Sequence, residues 1–271
     1  MDALGDTLRR VPKSGQAWDA GFLGRSPLLR SLAELGQPLL EGGSWPTLEA
    51  YGALVEQERQ ARAPELPAVR FAPPLPRHKR ARARPALDLR QLYDARIALE
   101  REVPCVSSSY HDLLNVLAWA AFPRAKRALH ARQYRALLEW LPPAGEALPN
   151  RRTREQDALT LFDEGGSVLV TTPEFAARLR AEREGTVEVS ERRDVRVVVF
   201  GHAITEHLSF HTSKVCSAAF LLCLDSPLPE GRELFERVDL ALERRLTDEQ
   251  QLLTPNFDRA LSLEPPARVW A

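Results

Sequence analysis

Apolar residues recur at helical spacing in two early blocks, Ser26–Leu40 and Pro46–Arg62, and the Glu41-Gly42-Gly43-Ser44 break between them predicts an N-terminal helical hairpin. From Ala63 to Pro85 the pattern stops. Prolines at 64, 67, 73, 74, 76 and 85 forbid a continuous helix, and the run Arg77–Arg84 is basic, which reads as a linker or exposed loop. Helical spacing resumes at Leu89, Leu92, Tyr93 and Ile97 behind Asp88 as a cap, with Arg90, Arg96 and Glu100 outward and an end near Pro104. Caps in Ser107–Ser109 predict a helix from about Ser109 to Ala121. Phe122-Pro123 then restarts the chain into a basic helix, Arg124–Trp140, and the pair should form an angular corner.

The second half changes period. Arg152–Phe162 is a helix or an extended approach to a turn at Asp163-Glu164-Gly165-Gly166, and Ser167–Thr172 is β-like by its branched residues. Glu174–Glu184 reads as helix, and Thr186–Val189 and Val195–Phe200 as strands around the loop Glu191-Arg192-Arg193-Asp194. Val215–Leu224 is a buried strand by length and flanks, although periodicity alone also admits a helix. Arg232–Arg245 is amphipathic, and Thr254–Ala271 reads as a proline-containing tail. There is no internal repeat.

The expected fold is α+β: N-terminal and central helices packed on a small, mostly antiparallel sheet formed by the second half, with a C-terminal helix. Residues 1–62 form an N-terminal helical segment, 63–85 a Pro/Arg-rich linker or loop, and 86–271 the main domain, either separate from 1–62 or one domain with it.

Composition narrows the function classes. At 271 residues and 44% hydrophobic the chain can bury a full core. Its 37 basic and 37 acidic residues cancel, so nucleic acid or anionic lipid would have to bind a local patch. Cys105, Cys216 and Cys223 make no disulfide framework, which favours a reducing compartment. The acidic N-terminus lacks an apolar stretch of signal length, and Val215–Leu224 is too short to span a bilayer. A cytoplasmic protein without a membrane partner is expected.

Candidate chemistry sits where polar groups interrupt apolar surroundings, because burying them costs free energy unless they are paired or used. His111, Asp112 and Asn115 occupy the first turns of an otherwise apolar helix. Asp112 and Ser109 are explained by capping, whereas His111 and Asn115, one turn apart on one face, are not. The His111-Asp112 pair is similar to that of HD-type phosphohydrolases, with His78 upstream and Asp157 downstream, but His78 lies in the proline-rich loop. In Gly201–His207 the inverted zincin spacing is absent, while His202 and Glu206 at i and i+4 can share a metal or a proton. A deaminase signature, a glycine-rich phosphate loop and a nucleophile elbow are all missing.

Turn chemistry accounts for Asp163–Gly166, with Asp163 and Glu164 expected in solvent. Arg154 and Asp157 form an intrahelical pair or an anion clamp. Arg124, Lys126, Arg127, His130, Arg132 and Arg135 read as a solvated basic face; with Arg77–Arg84 they could touch nucleic acid, which is not favoured. Trp119, Phe122 and Trp140 are expected in the core.

Taken in order, Leu92-Tyr93-Asp94-Ala95-Arg96-Ile97, the segment Tyr110–Lys126, Asp157–Gly166 and Phe200–Glu206 resemble the bacterial family known as Domain of Unknown Function 3025, with the match running from about Leu66 to Leu224. The resemblance implies a cytoplasmic bacterial protein without assigned activity. The leading expectation from the residues is a hydrolase. His111 or His202 would be its base, Asp112 or Asp157 an orienting carboxylate or metal ligand, and Glu206 a ligand or acid, with Asn115, Arg154 and Lys126 as substrate contacts. A divalent metal is admitted, and the basic helix leans the substrate toward a phosphoester. The rival expectation is a non-catalytic interaction or nucleic-acid-binding protein in which the same groups form a structural network.

Overall fold

The computed structural model describes residues 17–75, 89–141, 151–181, 189, 192–265 and 268–270. The N-terminal hairpin is α1 (Arg30–Leu40) and α2 (Leu48–Arg62), the latter capped by Thr47, whose side chain accepts the Ala50 N–H. A short strand β1 (Arg70–Ala72) pairs in parallel with β2 (Glu102–Pro104), and α3 (Tyr93–Glu100) precedes β2. That pair was not foreseen. Nor was the fate of Arg96, expected outward. It is buried, donating to the Pro73 carbonyl and pairing with Glu102 of β2, because α3 packs against the strand.

The central helix α4 (Tyr110–Ala121) is apolar on nearly every side, and ten of its residues are buried. It fills the middle of the molecule. α1 approaches it closely where Gly36 faces Leu117, a spot at which an added Cβ would lie 2.9 Å from the leucine methyl. Phe122 breaks the helical backbone and Pro123 opens α5 (Pro123–Trp140), as the sequence indicates.

The basic face expected in solvent is largely turned inward, with Arg135 alone of its six residues exposed. Lys126, His130 and Arg132 are buried. Arg132 donates to the carbonyls of Leu246, Asp248 and Gln251 and pairs with Glu155, while Arg124 pairs with Glu65. The carbonyls that Arg132 meets belong to the end of the helix Gly231–Thr247 and the loop after it, where backbone acceptors lack helical partners. Trp140, expected in the core, is 49% exposed.

A capping box between Thr153 and Gln156 starts α6 (Arg154–Gly165). The expected tight turn at Asp163–Gly166 does not form. Apolar positions Ala158, Leu159 and Phe162 keep the helical spacing, so α6 carries through Asp163 and Glu164. The chain then enters β3 (Gly166–Thr171) directly, with Gly166 already extended.

After α7 (Pro173–Ala181) come β4 (Val195–Val199), α8 (His202–Phe210), β5 (Val215–Cys223) and α9 (Gly231–Thr247). The C-terminal segment read as a tail instead makes β6 (Arg259–Glu264) and β7 (Arg268–Trp270). The sheet order is β4-β3-β5-β6-β7, antiparallel throughout except for the parallel β3/β5 pair, so the α+β expectation with a mostly antiparallel sheet holds. β3 is buried along its whole length and forms the floor beneath α6 and α8. One hydrophobic cluster runs from Phe22 to Val269. Arg77–Arg84, Asp88 and Thr186–Glu188 lie outside the described residues. No helix among the described residues is long and apolar enough to cross a membrane.

The start of α5 is held by Asp239 of α9, which accepts the N–H groups of Arg124 and Ala125 at 3.1 and 2.8 Å. Burial pushes its carboxyl up to about 7 against these hydrogen bonds and the nearby Arg62 and Arg124. Because the folded value lies above the unfolded one, the folded state holds the extra proton between them, and stability should fall as pH rises from 4 to 7. Asp239→Asn should abolish that slope: its stability relative to wild type is expected to improve by about 1–3 kcal/mol between pH 5 and pH 7 in denaturant titrations. Parallel profiles for the two proteins would contradict this.

Candidate metal centre

Three helix ends meet over β3. The first turn of α4 is anchored on both sides of His111: the Tyr110 hydroxyl accepts the Asp19 N–H (2.7 Å) and donates to the Ala17 carbonyl (3.0 Å), and Asp112 accepts the Val106 N–H (2.8 Å). At the start of α8, the N–H groups of Phe200 and Gly201 both donate to the Gly166 carbonyl at 3.0 and 2.9 Å. A Cβ at Gly201 would stand 2.4 Å from the Glu164 carbonyl oxygen, inside van der Waals contact with backbone that cannot swing away. Glycine alone lets α8 begin against the end of α6, and that approach places His202 beside Glu164.

The resulting cluster is tight. His202 Nε2 lies 3.2 Å from His111 Nε2 and 3.4 Å from Glu164 Oε2, and ligand atoms of the three residues all fall within 4.8 Å of one another. Zinc bonds of about 2.0–2.2 Å in a tetrahedron place neighbouring ligand atoms about 3.3–3.6 Å apart, close to the two short edges here. Behind His111, its Nδ1 is 3.3 Å from Glu206 Oε2, the carboxylate-to-imidazole contact that fixes which ring nitrogen faces a metal. Glu206 is buried, and its other oxygen has no hydrogen-bond partner. His202 is buried too, whereas the His111 and Glu164 side chains are 41% and 32% exposed, so the cluster opens to solvent on their side.

Burial holds His202 neutral, its pKa pushed down to about 3, with His111 and Lys126 adding to the effect and Asp163 opposing it. His111 moves the other way. Burial would depress it, but Glu206, Glu164 and Asp112 together raise it above the ordinary imidazole value. Glu164 is raised by burial and by the charge of Asp163. Asp163 itself, though burial works against ionisation, is held below the usual carboxylate range by Lys126 and the histidines.

Of the residues singled out in the sequence, His111, His202 and Glu206 come together. Asp112 adjoins them, but its carboxylate is engaged by the Val106 N–H, and the Ser109 hydroxyl caps its backbone. Asn115 lies one turn inward and donates to the Tyr93 hydroxyl at 2.8 Å. Lys126 faces the cluster from behind, fully buried and paired with Asp163 at 2.5 Å, so its ammonium is committed. Asp157 and Arg154 are exposed near the start of α6 and do not join; at 1.5 Å per residue Asp157 stands about 10 Å along the axis from Glu164. Glu164 was assigned to an exposed turn. The signal that would have found it is the unbroken helical spacing of Ala158, Leu159 and Phe162.

A family model described as Protein of unknown function (DUF3025) matches residues 82–263, starting later than the stretch recognised by motif and running past its end through α9 into β6. No curated protein and no solved structure matches the chain.

Two substitutions test how the cluster is built. Gly201→Ala should separate α8 from α6, destabilising the protein by about 1–3 kcal/mol as an overpacked contact does, and a fully stable variant with unchanged structure would refute the close-approach argument. Lys126→Met should cost about 3–5 kcal/mol in chemical denaturation because Asp163 is left buried and unpaired. A loss well under that would mean the pair is dispensable.

Proposed function

The chain belongs to the DUF3025 family, whose function is unknown, so activity has to be read from the site, and we propose that the protein is a divalent-metal-dependent hydrolase. The reading is carried by one observation: two imidazole nitrogens and a carboxylate oxygen, from three helices remote in sequence, converge within 4.8 Å with one side open to solvent. Three protein ligands with an open fourth position are the arrangement of catalytic rather than structural zinc sites. A divalent ion held there would supply Lewis acidity and lower the pKa of a water to near neutrality.

The chain's own residues then have distinct tasks. His111, His202 and Glu164 are the ligands. Burial keeps His202 unprotonated and ready to bind at neutral pH. Glu206 takes the His111 Nδ1 proton in a hydrogen bond, which turns the Nε2 lone pair toward His202 and Glu164. The Lys126–Asp163 pair fixes the helix end that carries Glu164. A base separate from the ligand set is not required by this scheme, which moves the histidines from base to ligand relative to the sequence expectation.

The rival reading, a structural network, draws on the fact that the same 3.2–3.4 Å separations are also hydrogen-bond contacts. Zinc titration separates the two. On the hydrolase reading, calorimetry gives one zinc per chain, and zinc raises the melting temperature of wild type but not of His111→Ala or His202→Ala. Glu206→Gln should keep the site yet weaken zinc by about 10–100-fold. Because His111 binds a proton more tightly than a free imidazole, affinity should fall as pH drops through the range in which His111 takes up its proton, with one proton displaced per zinc at lower pH. A wild type that ignores zinc, with strongly non-additive destabilisation in the two histidine variants, would establish the network instead.

A further inference from the structure

The basic helix that suggested a phosphoester is spent on internal pairing, and the charges that do surround the cluster point elsewhere. Resting on the metal-dependent hydrolase reading, we propose that the site takes an uncharged or cationic acyl compound, an ester or amide, and discriminates against phosphoesters. Three carboxylates surround His111: Glu206 Oε2 lies 3.3 Å from its Nδ1, Glu164 offers an oxygen within 4.8 Å of its ring, and Asp112 is the next residue in the chain. Asp163 acts on Glu164 but is neutralised by Lys126. That lysine cannot turn toward a substrate. It is fully buried, and its ammonium sits 5.8 and 5.9 Å from the centres of the Trp119 and Phe200 rings. Arg152 also acts on Glu164, but it is solvent-exposed and donates to the Thr160 hydroxyl.

A divalent cation among three carboxylates leaves the immediate surroundings without positive excess. Phosphoryl transfer spreads charge over several oxygens and is served by added cationic clamps, whereas beside this cluster the exposed Arg152 is outnumbered by Glu206, Glu164 and Asp112. An acyl transition state develops one negative charge, on one oxygen, which a single Lewis-acidic ion can meet. The open rim at His111 and Glu164 suits an acyl bond projecting from a larger molecule, and a positive group near that bond would be drawn to the carboxylates. In the reaction, the water oxygen bonds to the acyl carbon as the C–O or C–N bond breaks. One water proton passes to the departing alcohol or amine, and nothing is oxidised or reduced.

The test uses the full-length chain loaded with Co(II), whose visible spectrum reports changes at the ion. Acetohydroxamate should perturb the spectrum at a concentration about tenfold or more below that needed for inorganic phosphate, a ratio equivalent to one unfavourable charge interaction near the ion. Asp112→Asn should narrow the gap by tightening phosphate. Turnover is expected with 4-nitrophenyl acetate and not with 4-nitrophenyl phosphate. Phosphate acting as readily as acetohydroxamate, or the phosphate ester alone turning over, overturns the substrate class while leaving the metal centre standing. Failure of the wild type to bind Co(II) removes both.

Discussion

Everything at the cluster depends on a missing side chain. Gly201 allows the start of α8 to rest on the backbone of Glu164 and Gly165, and the Gly166 carbonyl ties the two segments by accepting from Phe200 and Gly201. A β-carbon would fall within bonding-forbidden distance of a carbonyl, so the approach is a constraint on sequence rather than a preference. From it follow the short distance between His202 and Glu164 and, because α4 is locked at Tyr110 and Asp112, the meeting of both with His111. β3 beneath supplies a rigid, wholly buried floor.

Around that contact the protein distributes charge unevenly. Lys126 and Asp163 form a buried pair that is costly to break, and because their fields on His202 oppose one another, burial decides that this imidazole stays neutral. Around the other imidazole, three carboxylates, the buried Glu206 among them, bias His111 toward protonation. One imidazole is therefore held to its lone pair, and the other keeps its proton to higher pH than a free imidazole does. The buried Glu206 oxygen without a protein partner is a further cost that a purely structural role would leave unexplained.

The sequence showed most of the helices because their apolar spacing and caps are local properties: Ser109, Pro123 and Gly201 mark starts that the structure reproduces. It showed His111, His202 and Glu206 because polar groups in apolar surroundings are conspicuous. Glu164 was hidden by a motif that satisfies turn chemistry equally well, and only the tertiary contact with α8 distinguishes a helix end from a turn there. β6 and β7 were hidden because short strands depend on partners that no local pattern reveals, and prolines nearby mimicked a tail. The internal role of the basic helix was equally illegible: a guanidinium reaching carbonyls more than a hundred residues away has the same local sequence as one in solvent.

The central claim is that His111, His202 and Glu164 bind one divalent ion. X-ray absorption on the zinc-loaded, dialysed protein reads that shell directly. Nitrogen and oxygen neighbours are expected at about 2.0–2.2 Å with the outer-shell scattering of two imidazoles, and His202→Ala should retain no zinc after the same dialysis. Zinc lost on dialysis, or a shell without imidazole scattering, would contradict it.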